Sequence, residues 1–326
     1  MPTSLQDYIR NVPADAQRRV LWVRDKYRKI IQDTIRDETR LVMRTPMDVE
    51  RGHAGGQVSV NVVAGMPDGL SKIILPDDLD ALMLLARHRD SLEMTAAGIT
   101  TLLAMQDTLT QLPSAAGWPT AAVSSLRDTQ VWAAHLLQRL EQADPLKKIV
   151  GIRQDVLGAY IYSAVFTGQA DVNPARIELY WQVIGFVAGA LGCSVEALTA
   201  VTLTHELAHA YIQLGADIDG RRWPSSDFHK AELSLAEGLA QYYTQRSLQR
   251  LEKRIPGVVA AFSALLKKQS DDYRAHEAWI TDHDPEAVRS AMLVTRRIAV
   301  MEISRFEEIL GSLGEVYPSE PIEEMD

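Results

Sequence analysis

A His-Glu-x-x-His motif lies at residues 205–209, inside a largely apolar stretch. In an α-helix, residues four apart are rotated by only about 40°, so His205 and His209 project from one face, one turn apart. Two imidazoles placed in this way can each give a nitrogen to one zinc ion at about 2.0–2.1 Å. Glu206 is turned about 100° from His205, so its carboxylate can reach a water beside such an ion. The motif therefore predicts a metal-binding helix that carries a general base.

The residues around the motif favour a helix. Ser194 is a good N-cap, Glu196 suits the positive first turn, and Gly215 is typical of a helix end. Two buried histidines satisfied by ordinary hydrogen bonds are the alternative to a metal site. That alternative would not explain a glutamate between them on a helix otherwise built from Ala, Leu, Val and Thr, so we favour the metal.

A catalytic zinc site usually has three protein ligands and one open position. Glu237 is the best candidate for the third ligand, because it follows His209 by 28 residues in an apolar, helix-like stretch. Gln241 lies one turn further on and could orient a ligand. Glu232 is the rival, but its neighbourhood is more polar and indicates a solvated side chain.

The chain resembles the gluzincin-type zinc metallopeptidases. T-H-E-L-A-H-A-Y (204–211) corresponds to their metal helix, and A-E-G-L-A-Q-Y-Y (236–243) corresponds to the helix of the third ligand. The resemblance covers roughly residues 150–250, and it implies one Zn²⁺ per chain and a zinc-bound water that attacks a peptide carbonyl. Thermolysin-like enzymes carry N-E-x-x-x-D, whereas this chain has Ala236 and Gln241. No third histidine follows in the metzincin register.

The residue that would stabilise the oxyanion is not determined by the sequence. Such a donor must lie within about 3 Å of the developing charge. The candidates are Tyr211, His229, Tyr242, Tyr243 and His283. On a regular helix Tyr242 and Tyr243 both point away from the Glu237 face, which favours packing over catalysis for that pair.

The composition restricts the classes of binding partner and the cellular compartment that we expect for this protein. A net charge of −9 and a pI near 5.4 argue against a dedicated nucleic-acid binder. Cys193 is the one cysteine, so no internal disulfide framework is expected. We see neither a leader-like N-terminus nor an apolar stretch of 18 residues. We therefore expect a cytoplasmic protein with a peptide or protein substrate and no membrane or nucleic-acid partner; the oligomeric state stays open.

The predicted fold class is mainly α (α+β), in two regions and a tail. Residues 1–145 form a mostly helical region, with helices near 14–40, 77–91, 95–110 and 121–143 and a β-hairpin at about 57–75. Residues 146–313 form the domain that the resemblance makes zincin-like, with a small antiparallel sheet beside the metal helix. Its strand candidates are 160–162 and 177–180, and the second could instead open a helix that reaches Leu191. Helices are expected near 227–254, 258–270 and 285–311, followed by an acidic flexible tail at 314–326.

Other functions remain open from the residues alone. The chain could be a regulatory or sensing protein whose peptidase-like domain acts on one partner or is silent. A structural zinc site would need a fourth ligand, for which the sequence offers no obvious residue. Asp217 and Asp219 lack the further ligands of a calcium loop and indicate a turn instead.

Overall fold

The computed structural model describes residues 5–43, 58–67, 70, 85, 88–111, 117–143, 149, 156–162 and 175–314. The strands are β1 (Val58–Val63), β2 (Gly158–Ile161) and β3 (Ala175–Tyr180). The helices are α1 (Leu5–Arg10), α2 (Asp15–Thr39), α3 (Arg89–Thr110), α4 (Thr120–Ala143), α5 (Trp181–Leu191), α6 (Val195–Leu214), α7 (Ser225–Phe228), α8 (Leu233–Leu251), α9 (Val258–Leu266), α10 (His276–Asp282), α11 (Pro285–Ile298) and α12 (Ile303–Gly314), with a 3₁₀ turn at Asp271–Arg274. The protein is mainly helical, as predicted.

The three strands form one small mixed sheet in the order β1-β3-β2. The expected antiparallel pair is present, because β2 runs antiparallel to β3 with Tyr160 opposite Ile177. The prediction that the sheet is antiparallel throughout was wrong, since β1 pairs in parallel with β3 and places Val60 opposite Ile177. Alternating apolar residues identify a strand but do not identify its partner.

Of the predicted hairpin at about 57–75, the structure shows the first strand, β1. Residues 71–75, the expected second arm, lie outside the described residues. The neighbour that the structure shows for β1 is a strand more than a hundred residues further along the chain.

Helix α6 lies at the centre of the hydrophobic core. All its residues from 197 to 213 are buried, and it packs against α2, α8, α9, α5 and the sheet. This core includes residues from α2 and β1, both in the first 145 residues, and from the elements that follow. Among the described helices, none is long and apolar enough to cross a membrane.

The sequence left open whether residues 177–180 form a strand or the start of a helix that reaches Leu191. The structure contains a strand and a helix in succession. Residues up to Tyr180 form β3, and the helix α5 begins directly afterwards at Trp181. Both segments are apolar and buried, which is why periodicity could not separate them.

Several predicted helix limits change. The predicted helix at 95–110 begins earlier, at Arg89, while residues 71–84 lie outside the described part. The predicted helix at 227–254 is shorter, since α8 begins at Leu233 after the separate turn α7. The stretch 285–311 is divided in two, where Ala299 adopts a left-handed φ of 54° at the end of α11. The tail beyond residue 314 lies outside the described residues.

Candidate metal centre

Helix α6 forms as its sequence predicts. The Ser194 hydroxyl accepts a hydrogen bond from the backbone nitrogen of Ala197 at 3.0 Å, and Glu196 lies in the first turn. At the other end Gly215 donates its backbone nitrogen to the Tyr211 carbonyl at 2.9 Å and leaves the helical conformation. The motif residues therefore lie in the middle of a regular helix, on the side that faces α8.

Three side chains from two helices converge in the core. His205 Nε2 and His209 Nε2 lie 3.2 Å apart, and Glu237 Oε2 from α8 lies 3.2 Å from the first and 3.4 Å from the second. A tetrahedral zinc site with bonds of about 2.0–2.1 Å has ligand atoms about 3.3–3.4 Å apart. The observed triangle therefore has the dimensions of one face of such a site, and its residues can hold a metal ion.

Glu237 is a buried carboxylate that lies within ion-pair distance of both imidazoles. Its side chain is 7% exposed, and Oε2 makes no hydrogen bond of acceptable geometry within the described residues. Burial by itself raises the pKa of this carboxyl, but the two nearby imidazoles outweigh burial and hold the pKa well below its ordinary value. A buried, ionised carboxylate is costly unless it is paired or coordinates a metal.

Glu206 is buried but does not belong to the converging triangle. The start of β2 packs directly against it. A Cβ added to Gly158 would lie 3.0 Å from Glu206 Cγ and Oε1, and 2.8 Å from Thr202 Cγ2. The strand thus approaches the glutamate as closely as a residue without a side chain allows.

A small cavity adjoins His205 and Glu206. Most of its remaining wall is apolar and comes from the segment that leads into β2 and from α6, α8, α9 and the 3₁₀ turn. The other lining residues are Val156, Leu157, Gly158, Val201, Thr202, Gln241, Leu265, Gln269 and Tyr273. The predicted base therefore borders a small, largely apolar cavity.

Aromatic rings hold His209 on the opposite side of the triangle. The Tyr160 ring lies parallel to the imidazole, with centroids 6.5 Å apart, and Phe228 approaches it edge-on at 6.4 Å. The Tyr160 hydroxyl donates to Gln213 Oε1 at 2.6 Å, which ties β2 to the end of α6. Packing on both sides restricts the orientation of the ligand ring.

The hydrogen bond that the structure shows for Gln241 is to Gln269 and not to a residue of the triangle. Its Nε2 donates to Gln269 Oε1 at 3.1 Å, and its Oε1 has no hydrogen-bond partner among the described residues. One helical turn from Glu237 brought it to the correct face, but its side chain lines the cavity.

The structure does not bring the predicted oxyanion donors to the cavity. Tyr211 is buried on the side of α6 that meets α2, where burial raises its pKa to about 12 and the nearest charges include Arg36 and Asp33. His229 is exposed after α7, and the half-buried His283 follows α10. Neither histidine lines the cavity beside Glu206.

Tyr242 and Tyr243 point away from the triangle formed by His205, His209 and Glu237, as helical geometry predicts. They lie edge to face and line a separate polar cavity with Arg246, Arg289 and other charged residues. Burial raises the pKa of both phenols, that of Tyr242 to about 12. These tyrosines belong to the far side of α8.

Tyr273 is a cavity residue close to His205 that the sequence analysis did not single out. Its ring centroid lies 6.2 Å from that of His205, and the side chain is buried in the cavity wall. It comes from a short 3₁₀ turn whose sequence, Asp-Asp-Tyr-Arg, carries no periodic or motif signal. Only the packing of this turn against α8 places the tyrosine near the histidines.

The structure shows the roles of Glu232, the rival candidate for the third ligand, and of Asp217, which was weighed as a calcium ligand. The exposed Glu232 accepts a hydrogen bond from the backbone nitrogen of Ile303 at 2.8 Å, so it ties α8 to the start of α12. Asp217 accepts bonds from the backbone nitrogens of Asp219 and Arg221 at 3.0 and 2.8 Å, which confirms the predicted turn.

No protein-family model, curated protein or solved structure matches the chain. The chemistry of the site therefore carries the functional argument.

Proposed function

We propose that the protein is a zinc-dependent metallopeptidase. The observation that carries the proposal is the buried convergence of two imidazole nitrogens and one carboxylate oxygen beside a cavity that also exposes Glu206. Two nitrogen ligands and one oxygen ligand, with an open fourth position, are typical of catalytic zinc. The resemblance of the two helix motifs to gluzincins points to the same activity.

A structural zinc site fits less well. Such sites normally have four protein ligands. Within the described residues, the ligand group contains three members, His205, His209 and Glu237. Cys193 precedes the start of α6, and α6 itself begins roughly 15 Å before His205 along the helix axis.

Each residue has a defined task in the proposed reaction. His205, His209 and Glu237 would hold the zinc ion, which lowers the pKa of a water toward 7 and polarises a carbonyl. Glu206 accepts a proton from the attacking water and transfers it to the leaving nitrogen. In place of the predicted donors, we propose that Tyr273 stabilises the developing oxyanion, because it is the phenol that lines the cavity with Glu206.

The sheet supports a peptide as the substrate. Within the described sheet β2 is an edge strand, and its first residue, Gly158, lies against Glu206. An edge strand offers backbone donors and acceptors to which an extended peptide can add. Pairing of this kind would place a backbone carbonyl of the substrate near the proposed base.

The test compares the unmodified protein with Glu206→Gln. We expect metal analysis to find about one zinc per chain in both, because Glu206 is not a ligand. Cleavage of a peptide library should fall by about 10²–10⁴-fold in the variant, the usual contribution of a general base. Glu232→Gln, at an exposed glutamate that precedes α8, serves as the control and should keep full activity.

Unmodified protein without zinc, or a variant that cleaves at the unmodified rate, would contradict the proposal. A protein that holds zinc but cleaves nothing in the library would favour the alternative, a regulatory or sensing protein. The observation that favours this alternative is the exposure of large apolar side chains on α3 and α4, among them Met94, Met105 and Trp132.

A further inference from the structure

A second cavity lies on the side of α8 that faces away from Glu237. It is bordered by the end of α2, by α8 and by the start of α11. Four arginines and three carboxylates line this polar cavity, together with Tyr242 and Tyr243. Its volume is about 150 Å³. A water molecule occupies about 30 Å³ in the liquid, so the polar cavity can hold a group of about five heavy atoms.

The carboxylates of the polar cavity are already in contact with its arginines. The pairs are Glu38 with Arg246 and Arg250, Asp37 with Arg250, and Glu286 with Arg289. Both oxygens of Glu38 accept hydrogen bonds, at 2.6 Å from Arg246 Nε and at 2.9 Å from Arg250 Nη1. A cation would have to displace these contacts, so the carboxylates do not favour a cation as the ligand.

Several hydrogen-bond donors of the polar cavity have no acceptor. Arg246 uses Nε for Glu38, and its two terminal nitrogens make no hydrogen bond within the described residues. Tyr242 is 1% exposed, and its hydroxyl makes no hydrogen bond in the same part of the chain. The Tyr243 hydroxyl is sealed from solvent, whereas that of Tyr242 keeps access to the polar cavity. Since four arginines face three carboxylates, one positive charge is also in excess.

A ligand that matches this cavity must bring negative charge and acceptor oxygens. The guanidinium group offers five N–H donors in a rigid fork that suits oxyanions. Burial raises the pKa of Tyr242 to about 12, so the phenol stays protonated and can donate at neutral pH. The donors come from different elements, since Tyr242 and Arg246 belong to α8 and Arg289 to α11. A tetrahedral oxyanion offers oxygens in several directions, whereas a carboxylate offers only two in one plane.

We propose that the polar cavity is a binding site for a phosphate group, held by Tyr242, Arg246 and Arg289. The bound group would connect α8 to the start of α11 beside the end of α2, and it would thereby stabilise the folded chain. The site goes beyond the proposed function, because it lies on the other side of α8 from Glu237 and requires neither zinc nor a peptide.

Isothermal titration calorimetry on the unmodified chain tests the ligand class. Inorganic phosphate, glycerol 3-phosphate and acetate would be compared at the same pH and ionic strength. We expect both phosphate compounds to bind, and acetate to bind at least about 10-fold more weakly. The tighter of the two phosphate compounds then identifies the source of the group, as the free ion or as a small phosphate ester.

Two adjacent tyrosines provide a matched pair of variants. Tyr242→Phe removes one donor without changing the charge, and it should weaken phosphate binding by about 10-fold. Tyr243→Phe removes a hydroxyl that the ligand cannot reach, so the affinity should not change.

Arg289→Gln provides a second test in case Tyr242→Phe does not fold. Loss of a charged donor should weaken phosphate binding by about 10–100-fold. Arg305→Gln, at an exposed arginine of α12, is its control and should keep the original affinity.

The proposal would be overturned if the unmodified chain bound neither phosphate compound, or bound acetate as tightly. Unchanged affinity in the folded Tyr242 or Arg289 variant would also overturn it, as would an equal loss in Tyr243→Phe. Phosphate binding that is lost in His209→Ala but kept in Tyr242→Phe would place the anion at the metal ligands instead. None of these measurements involves cleavage, so the outcome is separate from that of the proposed peptidase.

Discussion

Helix α6 and the helix pair α3–α4 are similar in length but differ in their surroundings. Every residue of α6 from 197 to 213 is buried, including two histidines and a glutamate. In α3 the buried residues are Ile99, Leu103 and Gln106, and the pair leaves Met94, Met105, Val131 and Trp132 exposed. The same type of element is thus embedded in the core in one region and mostly covered by solvent in the other.

A charged or polar residue is therefore more informative about function in a buried helix than in an exposed one. Charged residues are common on an exposed helix and need no partner there. In α6 the same residue types are removed from water, so their presence requires a compensating interaction. Matched substitutions in the two regions should therefore give very different effects, and the following four predictions proceed from the largest to the smallest.

The largest contrast is expected between His209→Ala in α6 and His135→Ala in α4. His209 is one of three groups in the metal triangle, whereas His135 is exposed. Residues that only support a ligand already contribute about 10–100-fold to metal affinity, so loss of a ligand should exceed about 100-fold. A competition titration with a zinc chelator measures this effect. A zinc affinity equal to that of the His135 variant would show that His205, His209 and Glu237 do not form a zinc site.

The second prediction concerns acid. Burial lowers the pKa of His276 from 6.5 to about 4, and its ring nitrogens lie 3.0 Å from the Tyr273 carbonyl and 2.9 Å from the Gln245 side-chain amide. Between these pH values the unfolded chain takes up a proton at this site and the folded chain does not. The free energy of unfolding should therefore decrease as the pH falls from 6.5 toward 4, by about 2 kcal/mol at pH 5.

Urea unfolding at pH 7 and pH 5 checks this prediction. His276→Gln removes the titrating group, so its free energy of unfolding should fall less between the two pH values than that of the unmodified protein. Exposed His135 serves as the control, and His135→Gln should leave the loss at acid pH unchanged. Equal losses in the His276 variant and the unmodified protein would show that His276 does not cause it.

The third prediction adds one methyl group beside the proposed base. In Gly158→Ala the new Cβ would meet Glu206 and Thr202 at 2.8–3.0 Å, so the strand or the carboxylate must shift. We expect the turnover number to fall by about 10-fold or more, since small displacements of a positioned group are costly. Zinc affinity should remain unchanged because Gly158 does not touch the metal triangle. Unchanged turnover would mean that Glu206 has no defined position in the reaction.

The smallest effect is expected from the same substitution in α3. A Cβ at Gly98 meets nothing within 4 Å, and the residue lies in the interior of the helix. Gly98→Ala should increase the free energy of unfolding by about 0.5–1 kcal/mol, because alanine loses less conformational entropy in a helix. Turnover should not change. A destabilised Gly98 variant would indicate that this face of α3 is covered by something else.

Local features of the site could be predicted from the sequence because they depend on the geometry of one helix. Ser194, His205 and His209 occupy the positions that a regular helix gives them, and Glu237 follows from the need for a third ligand on an apolar helix. The turn at Asp217 was also predictable, since its hydrogen bonds are to residues two and four positions away.

Features that depend on distant partners were predicted poorly. Gln241 was placed on the correct helix face, but its partner Gln269 comes from another element. Tyr273 was missed because its approach to His205 is set by packing between elements. The parallel partner of β1 could not be inferred, because the apolar alternation of β1 is equally compatible with any neighbouring strand.

The sequence by itself determined the helix that carries the His-Glu-x-x-His motif, its cap and the shared face of its two histidines, since an interval of four residues fixes a shared face within one α-helix. The tertiary structure decided that Glu237 Oε2 lies within 3.4 Å of both imidazoles and that Gly158, Gln269 and Tyr273 surround the cavity. These contacts join residues far apart in the chain, and their distances follow from how buried helices and strands pack rather than from the conformational preferences of any one segment.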